Sequence, residues 1–197
     1  IIVQSGNDAC IVVAEGLSGS EEAFAVEMTK RGREIGLQNS TFRNATGWPH
    51  PEHRMTPRDL AKLSTALITK FPEFYHYFKE VEFTYGGIRQ ANRNPLLYKE
   101  IGADGLKTGY TRESGYGLTA SALRGERRIV LVVNGLGSKK ARSREPERLV
   151  EWAFREFNNY ALFKAGEQLE EAHVWLGKRG RVPLIIKEDV TLTFLRK

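Results

Sequence analysis

The chain has a single cysteine, Cys10, so no disulfide can form within it, and cysteine usage says nothing about redox compartment. Ala9, Ile11, Val12 and Val13 surround Cys10 with apolar neighbours, so a buried and unreactive thiol is expected there. Histidines are few as well: His50, His53, His76 and His173. His50 and His53 stand three apart with Pro51 between them, and neither a cysteine nor a third histidine is near, so neither a metal site nor a cofactor is expected. No apolar run approaches the roughly 20 residues of a membrane-spanning helix. There is no starting methionine and no signal peptide. Ile1-Ile2-Val3-Gln4 is an apolar run without a cap, so the chain is expected to begin inside a larger element. Internal repeats and low-complexity tracts are absent too.

What is present is ordinary for a globular chain. With 197 residues there is room for one domain and part of a second. Hydrophobic residues make up 41% and charged residues 27%, which supports a packed core. The net charge of +6 admits nucleic acid, an anionic membrane surface or an anionic substrate as partners. The basic residues are spread along the chain, apart from the cluster Lys139-Lys140-Ala141-Arg142-Ser143-Arg144. Aromatics are not interleaved with that cluster, so no nucleic-acid partner is expected.

Local patterns outline the elements. Asp8 to Gly16 reads as a buried helix. Ser18-Gly19-Ser20-Glu21 has capping-box spacing before a helix that runs through Phe24, Met28 and Ile35 to a stop at Gly36. Asn39 to His53, rich in Asn, Gly and Pro, reads as a long loop. Thr56-Pro57-Arg58-Asp59 opens another helix, with Thr56 as cap, Pro57 at the first helical position and an apolar stripe of Leu60, Leu63 and Leu67. Val81, Phe83 and Tyr85 alternate before Gly86-Gly87, a hairpin signal. Tyr116 to Ala122 and Arg128 to Val133 form a second hairpin pattern. Glu145 to Tyr160 is helical, with Leu149, Trp152, Ala153 and Phe157 on one face. Short strand-like runs follow at 172–176, 182–186 and 190–194. The expected division is therefore 1–163 and 164–197.

Two motifs carry chemistry: Ser5-Gly6-Asn7 and Lys107-Thr108-Gly109, the latter extended to Tyr110-Thr111. A Ser-x-Asn alone usually marks a turn or cap, and a Lys-Thr-Gly alone usually marks a strand end. Ser-x-x-Lys, Ser-Asp-Asn and Lys-Thr-Gly together mark penicillin-binding proteins and class A β-lactamases, and two of the three elements stand here in that order. The flanking text agrees. Gln4-Ser5-Gly6-Asn7-Asp8-Ala9-Cys10, Phe83 to Asn94, and Asp104-Gly105-Leu106-Lys107-Thr108-Gly109-Tyr110-Thr111 with Ser114-Gly115-Tyr116 strongly resemble low-molecular-mass serine D-alanyl-D-alanine carboxypeptidases.

That resemblance implies an α+β (α/β) chain with a β-lactamase/transpeptidase-like domain. Its central antiparallel sheet is flanked by helices and followed by the start of a small C-terminal β-domain. It implies a reaction in which a serine takes the penultimate D-alanine acyl group of a peptidoglycan stem peptide and releases the terminal D-alanine, and it implies binding of β-lactams. The implied catalytic residues are Ser5, Asn7 and Lys107. The implied substrate-binding residues are Lys107, Thr108, Gly109, Tyr110, whose backbone N–H is one oxyanion donor, and Arg142, which suits a carboxylate because a guanidinium donates two parallel hydrogen bonds. Arg142 is weighed equally as a surface charge at a helix start, and Arg93 is expected to brace its loop. Where the family often has His after Lys-Thr-Gly, this chain has Tyr110.

No lysine here has Ser or Thr three residues before it, so the nucleophile motif is absent from the chain. We expect an N-terminally truncated chain, inactive alone, with an open sheet edge and apolar face where the preceding segment would pack. The family implies an exported protein, periplasmic or on the outer face of the cytoplasmic membrane, with room for peripheral membrane association through an anchor beyond Lys197. The alternatives are a serine β-lactamase-like hydrolase and a non-catalytic peptidoglycan-binding or scaffold protein.

Overall fold

A computed structural model describes residues 1–196, which divide into two compact units, 1–151 and 152–196. In the first unit two helices come first. Helix α1, Asn7–Ser18, ends where Gly19 takes φ 78°, a left-handed geometry that glycine adopts without a side-chain clash. Only Ala14 of α1 is buried, while Val12, Val13 and Leu17 are exposed. The expectation of a buried helix is thus corrected: its composition is apolar, but no described element covers that face. Helix α2, Glu21–Glu34, is capped by Ser20, whose hydroxyl accepts from the Ala23 N–H at 3.1 Å. The cap therefore lies two residues later than the Ser18 spacing suggested.

Residues 39–53 form the expected loop, and Thr41 bridges Arg54 at its base. Helix α3, Pro57–Lys70, has Thr56 as its cap, with the Thr56 hydroxyl accepting from the Asp59 N–H at 3.2 Å. The buried Asp59 carboxylate accepts from Ser40 Oγ at 2.7 Å and from the Asn39 N–H at 2.8 Å, tying loop to helix. Those hydrogen bonds, Ser40's first, hold its pKa below the ordinary carboxylate value. A short helix α4, Pro72–Tyr75, leads to the hairpin of β1, Glu82–Tyr85, and β2, Ile88–Ala91, which turns through Gly86 and Gly87, both at positive φ.

The sheet that matters for function has the order β3-β4-β5, all antiparallel, with β3 Ala103–Thr111, β4 Gly115–Arg124 and β5 Arg127–Leu136. Strand β4 is central and buried from Gly117 to Ala122, so its run reads as continuously apolar or small. Helix α3 packs on β5 and β4. Strands β3 and β5 are the two edges, and neither has a second strand partner among the described residues. At the start of β3, Asp104 accepts from Tyr75 Oη at 2.9 Å and from Arg128 Nη1 at 2.8 Å, while Arg128 also reaches Ser121 Oγ. Burial raises the Tyr75 phenol to about 12, so it stays a donor in this network.

Helix α5 spans Lys139–Glu156. It begins six residues before the expected start because Ser138 Oγ accepts from the Ala141 N–H at 3.0 Å, a cap immediately before the basic cluster. Pro146, which looks like a first-turn residue, sits inside the helix and is buried with Val150. The helix also stops short of Tyr160, because Phe157–Phe163 is strand β6. In the second unit β6 pairs β9, Val190–Leu195, and β7, Gln168–His173, pairs β8, Arg181–Ile185. Residues 174–176, read as strand in the sequence, belong to the turn between β7 and β8.

Candidate active site

A cavity of about 1320 Å³ in the first unit is lined by both motifs. Its centre is a contact between residues distant in sequence. Lys107 Nζ donates to Ser5 Oγ at 2.9 Å and to the Thr108 carbonyl at 3.0 Å. Ser5 lies just before α1 at φ 62°, a conformation that costs a residue with a Cβ on the order of 1 kcal/mol. The Ser5 N–H donates to the Ile1 carbonyl at 2.8 Å, which holds that turn. Asn7, the first residue of α1, lines the same cavity, and its side-chain amide has no partner among the described residues.

Strand β3 forms the other part of the site. Its register pairs Lys107 with Thr119, Thr108 with Leu118, Gly109 with Gly117 and Tyr110 with Tyr116. Because β3 is an edge, an extended ligand can hydrogen-bond along residues 107–111, which line the cavity. Gly109 is exposed, and a Cβ built there would meet nothing within 4 Å, so the fold itself does not require glycine. Gly117 differs: a Cβ there would come within 2.6 Å of Asn134 Oδ1.

Arg142 reaches the site from the first turn of α5. Its Nη1 donates to the Gly109 carbonyl at 3.4 Å and its guanidinium lies 5.5 Å from the Tyr116 ring, which stacks on Tyr110 at 4.3 Å. Arg142 Nε is buried and has no hydrogen-bond partner among the described residues. Arg142 is half-buried and lines the cleft.

The electrostatics are lopsided. Arg93, Lys107, Arg112, Lys139 and Arg142 line the cavity against the carboxylate of Glu113. Burial lowers the Lys107 pKa from its ordinary 10.5, and the charge of Arg93 lowers it further. Burial likewise lowers Arg142. A cleft of this sign favours an anion. Arg93 was expected only to brace its loop. Instead Asn92 and Asn94 do the bracing: Asn92 Nδ2 donates to the Glu80 carbonyl, Asn92 Oδ1 accepts from the Asn94 N–H, and both residues are buried. Arg93 between them is exposed, lines the cleft and has no hydrogen bond or ion pair among the described residues. Cys10 is also corrected: it is half-buried and lines the cleft beside Asn7 rather than lying in the core. Trp48, which sequence reasoning passed over inside its loop, lines the cavity with 60% of its surface exposed.

Residues 1–138 match the family model of D-alanyl-D-alanine carboxypeptidases. The chain belongs to the D-alanyl-D-alanine carboxypeptidase family. Residues 157–197 match the model of the penicillin-binding protein 5 C-terminal domain, so the family's β-rich appendage begins within the chain. The chain is 41% identical over 197 residues to the D-alanyl-D-alanine carboxypeptidase DacC of Escherichia coli (strain K12), covering 100% of this chain and 49% of that protein. It spans about half the length of the curated relatives it matches. Penicillin-binding protein 5 from Haemophilus influenzae superposes with a TM-score of 0.89 at 36% identity, over 99% of this chain and 57% of that one. Penicillin-binding protein D2 from Listeria monocytogenes, solved in its ampicillin-bound form, superposes with a TM-score of 0.72 at 32% identity, over 78% of this chain and 64% of that one. The transpeptidase/β-lactamase-like fold expected from the motifs is therefore the fold of this chain.

Proposed function

We propose that the chain carries the substrate-binding and proton-handling side of a serine-type D-alanyl-D-alanine carboxypeptidase. The observation that carries this reading is the 2.9 Å hydrogen bond from Lys107 to Ser5, which joins the two family motifs in one cationic cleft. In the proposed reaction a serine hydroxyl attacks the penultimate D-alanine carbonyl and the peptide C–N bond breaks. The terminal D-alanine leaves with a proton, and water then hydrolyses the ester. A hydroxyl needs an adjacent base to attack at neutral pH. Ser5, poised by Lys107, relays the proton to the leaving amine. Asn7 offers its free amide to the substrate backbone. Thr108 and the guanidinium of Arg142, both lining the cleft, take the terminal carboxylate. Gly109 admits the substrate backbone, and the Tyr110 N–H faces the oxyanion.

No Ser-x-x-Lys occurs in the chain, so alone it is proposed to bind rather than turn over the peptidoglycan stem peptide. The same cleft is proposed to accept β-lactams. Because peptidoglycan lies outside the cytoplasm, the reading places the protein in the periplasm or on the outer face of the cytoplasmic membrane. Equilibrium binding tests it. A peptide ending in D-Ala-D-Ala should bind this chain, its L-Ala-L-Ala epimer and its C-terminal amide should bind far more weakly, and Lys107→Ala should reduce binding roughly 100-fold. Equal binding of all three peptides would end the reading.

A further inference from the structure

The cavity has two kinds of lining. Lys107 on β3, Lys139 and Arg142 on α5, and Arg93 and Arg112 in connecting loops supply its cations, whereas the loop Ala45-Thr46-Gly47-Trp48-Pro49 supplies small and apolar surface ending in an exposed indole. An exposed tryptophan on a loose loop would be unremarkable, but this loop is braced. Asn44 Oδ1 accepts from the Gly47 N–H at 2.7 Å and from the Trp48 N–H at 3.1 Å, and Asn44 Nδ2 donates to the Trp48 carbonyl at 3.0 Å. Thr46 Oγ1 also accepts from the Trp48 N–H at 3.2 Å, and the Ala45 N–H donates to Glu21 Oε1 on α2 at 2.9 Å. The left-handed φ of 82° at Gly47 lets the chain turn tightly enough for these bonds.

Every one of those bonds holds backbone, and none uses the indole. No aromatic partner for the Trp48 ring is present among the described residues. The protein therefore holds a large apolar ring at the cleft wall and leaves it unburied. A rigid aromatic loses little entropy when it is covered, which makes it an efficient contact for an apolar group.

We propose that Trp48 is a specificity-determining residue that packs against an apolar side group on the acyl part of the ligand, upstream of the D-Ala pair. This rests on the carboxypeptidase reading, because that reading sends the ligand's carboxylate to Thr108 and Arg142 and so assigns the remaining, uncharged lining to the acyl side. The ligand is then gripped at two chemically different points, a carboxylate at the cationic end and an apolar group at Trp48. Selectivity among D-Ala-D-Ala peptides arises at the second point.

The test compares N-phenylacetyl-D-Ala-D-Ala with N-acetyl-D-Ala-D-Ala by equilibrium binding to the chain, to Trp48→Ala and to Trp48→Phe. The phenylacetyl peptide should bind the parent chain about fivefold more tightly. That preference should fall below about twofold in Trp48→Ala and largely survive in Trp48→Phe. Binding of the acetyl peptide should change less than that of the phenylacetyl peptide in both. Retention of the full preference in Trp48→Ala would overturn the inference while leaving the carboxypeptidase reading intact. Failure of both peptides to bind the parent chain would overturn the carboxypeptidase reading, and the inference with it.

Discussion

The two edges of the β3-β4-β5 sheet are alike in backbone and opposite in side-chain character. Both are antiparallel strands paired on one side only among the described residues. The β5 edge runs through Ile129-Val130-Leu131-Val132-Val133, all half-buried. The β3 edge runs through Lys107-Thr108-Gly109-Tyr110-Thr111, with Arg142 donating to the Gly109 carbonyl. An open edge is a hazard because it offers unpaired amides to any extended chain. In the proposed reading the hazard on β3 is narrowed into recognition: cations choose an anionic end, and Gly109 sets how closely a backbone approaches. The β5 edge has apolar side chains and no such filter.

The largest break in this comparison should come from one methyl group placed at either of two paired glycines. Gly109→Ala should leave stability within about 0.5 kcal/mol, since its Cβ would meet nothing within 4 Å, yet weaken D-Ala-D-Ala peptide binding roughly tenfold or more. Gly117→Ala, its partner across the ladder, should instead lower the melting temperature, because its Cβ would collide with Asn134 Oδ1. Thermal melts and binding isotherms of the two variants should separate cleanly.

Amide exchange sharpens the contrast with a smaller effect. Adding a D-Ala-D-Ala peptide should slow exchange within 107–111 about tenfold and leave 129–133 unchanged, because only the first edge gains hydrogen-bond partners. Equal protection of both edges would show association between strands rather than ligand capture.

The smallest effect is a shift in pH dependence. In the proposed reading Lys107 binds the ligand's anionic end when protonated, and burial together with Arg93 brings its pKa below 10.5. Binding should therefore be complete at lower pH and decline as pH rises through that depressed value. Removing the neighbouring positive charge in Arg93→Gln should move the decline to higher pH. A decline unmoved by the substitution would separate Arg93 from the charge balance at Lys107.

How much of this could be read beforehand depends on how local each signal is. Thr56-Pro57 as a helix start and Gly86-Gly87 as a turn are local chemistry, and both stand in the structure. Ser5 and Lys107 were legible because short motifs name them, although only the fold brings them to 2.9 Å. The burial of α1 was misread because composition reports what a face wants and not what covers it. The start of α5 was missed because Lys139 to Arg144 carries charge without an apolar stripe, so its Ser138 cap passed for loop. Arg93 was assigned the bracing that its asparagine neighbours perform. Trp48 was missed because its significance lies in the side chain of Asn44, four residues away, and in a cavity wall that no spacing rule reveals.

That division of labour between Asn44 and Trp48 has an evolutionary consequence. The residue that shapes the loop is not the residue that faces the ligand, so position 48 can vary without unmaking its own support. A lineage could exchange the indole for a smaller or more polar group and meet a different acyl chain while Asn44, Thr46 and Gly47 preserve the same frame. On that reading preference at this cleft can drift at little cost to foldedness, whereas the Ser5–Lys107 pair, joined by its own hydrogen bond and proposed to carry the chemistry, has no such freedom.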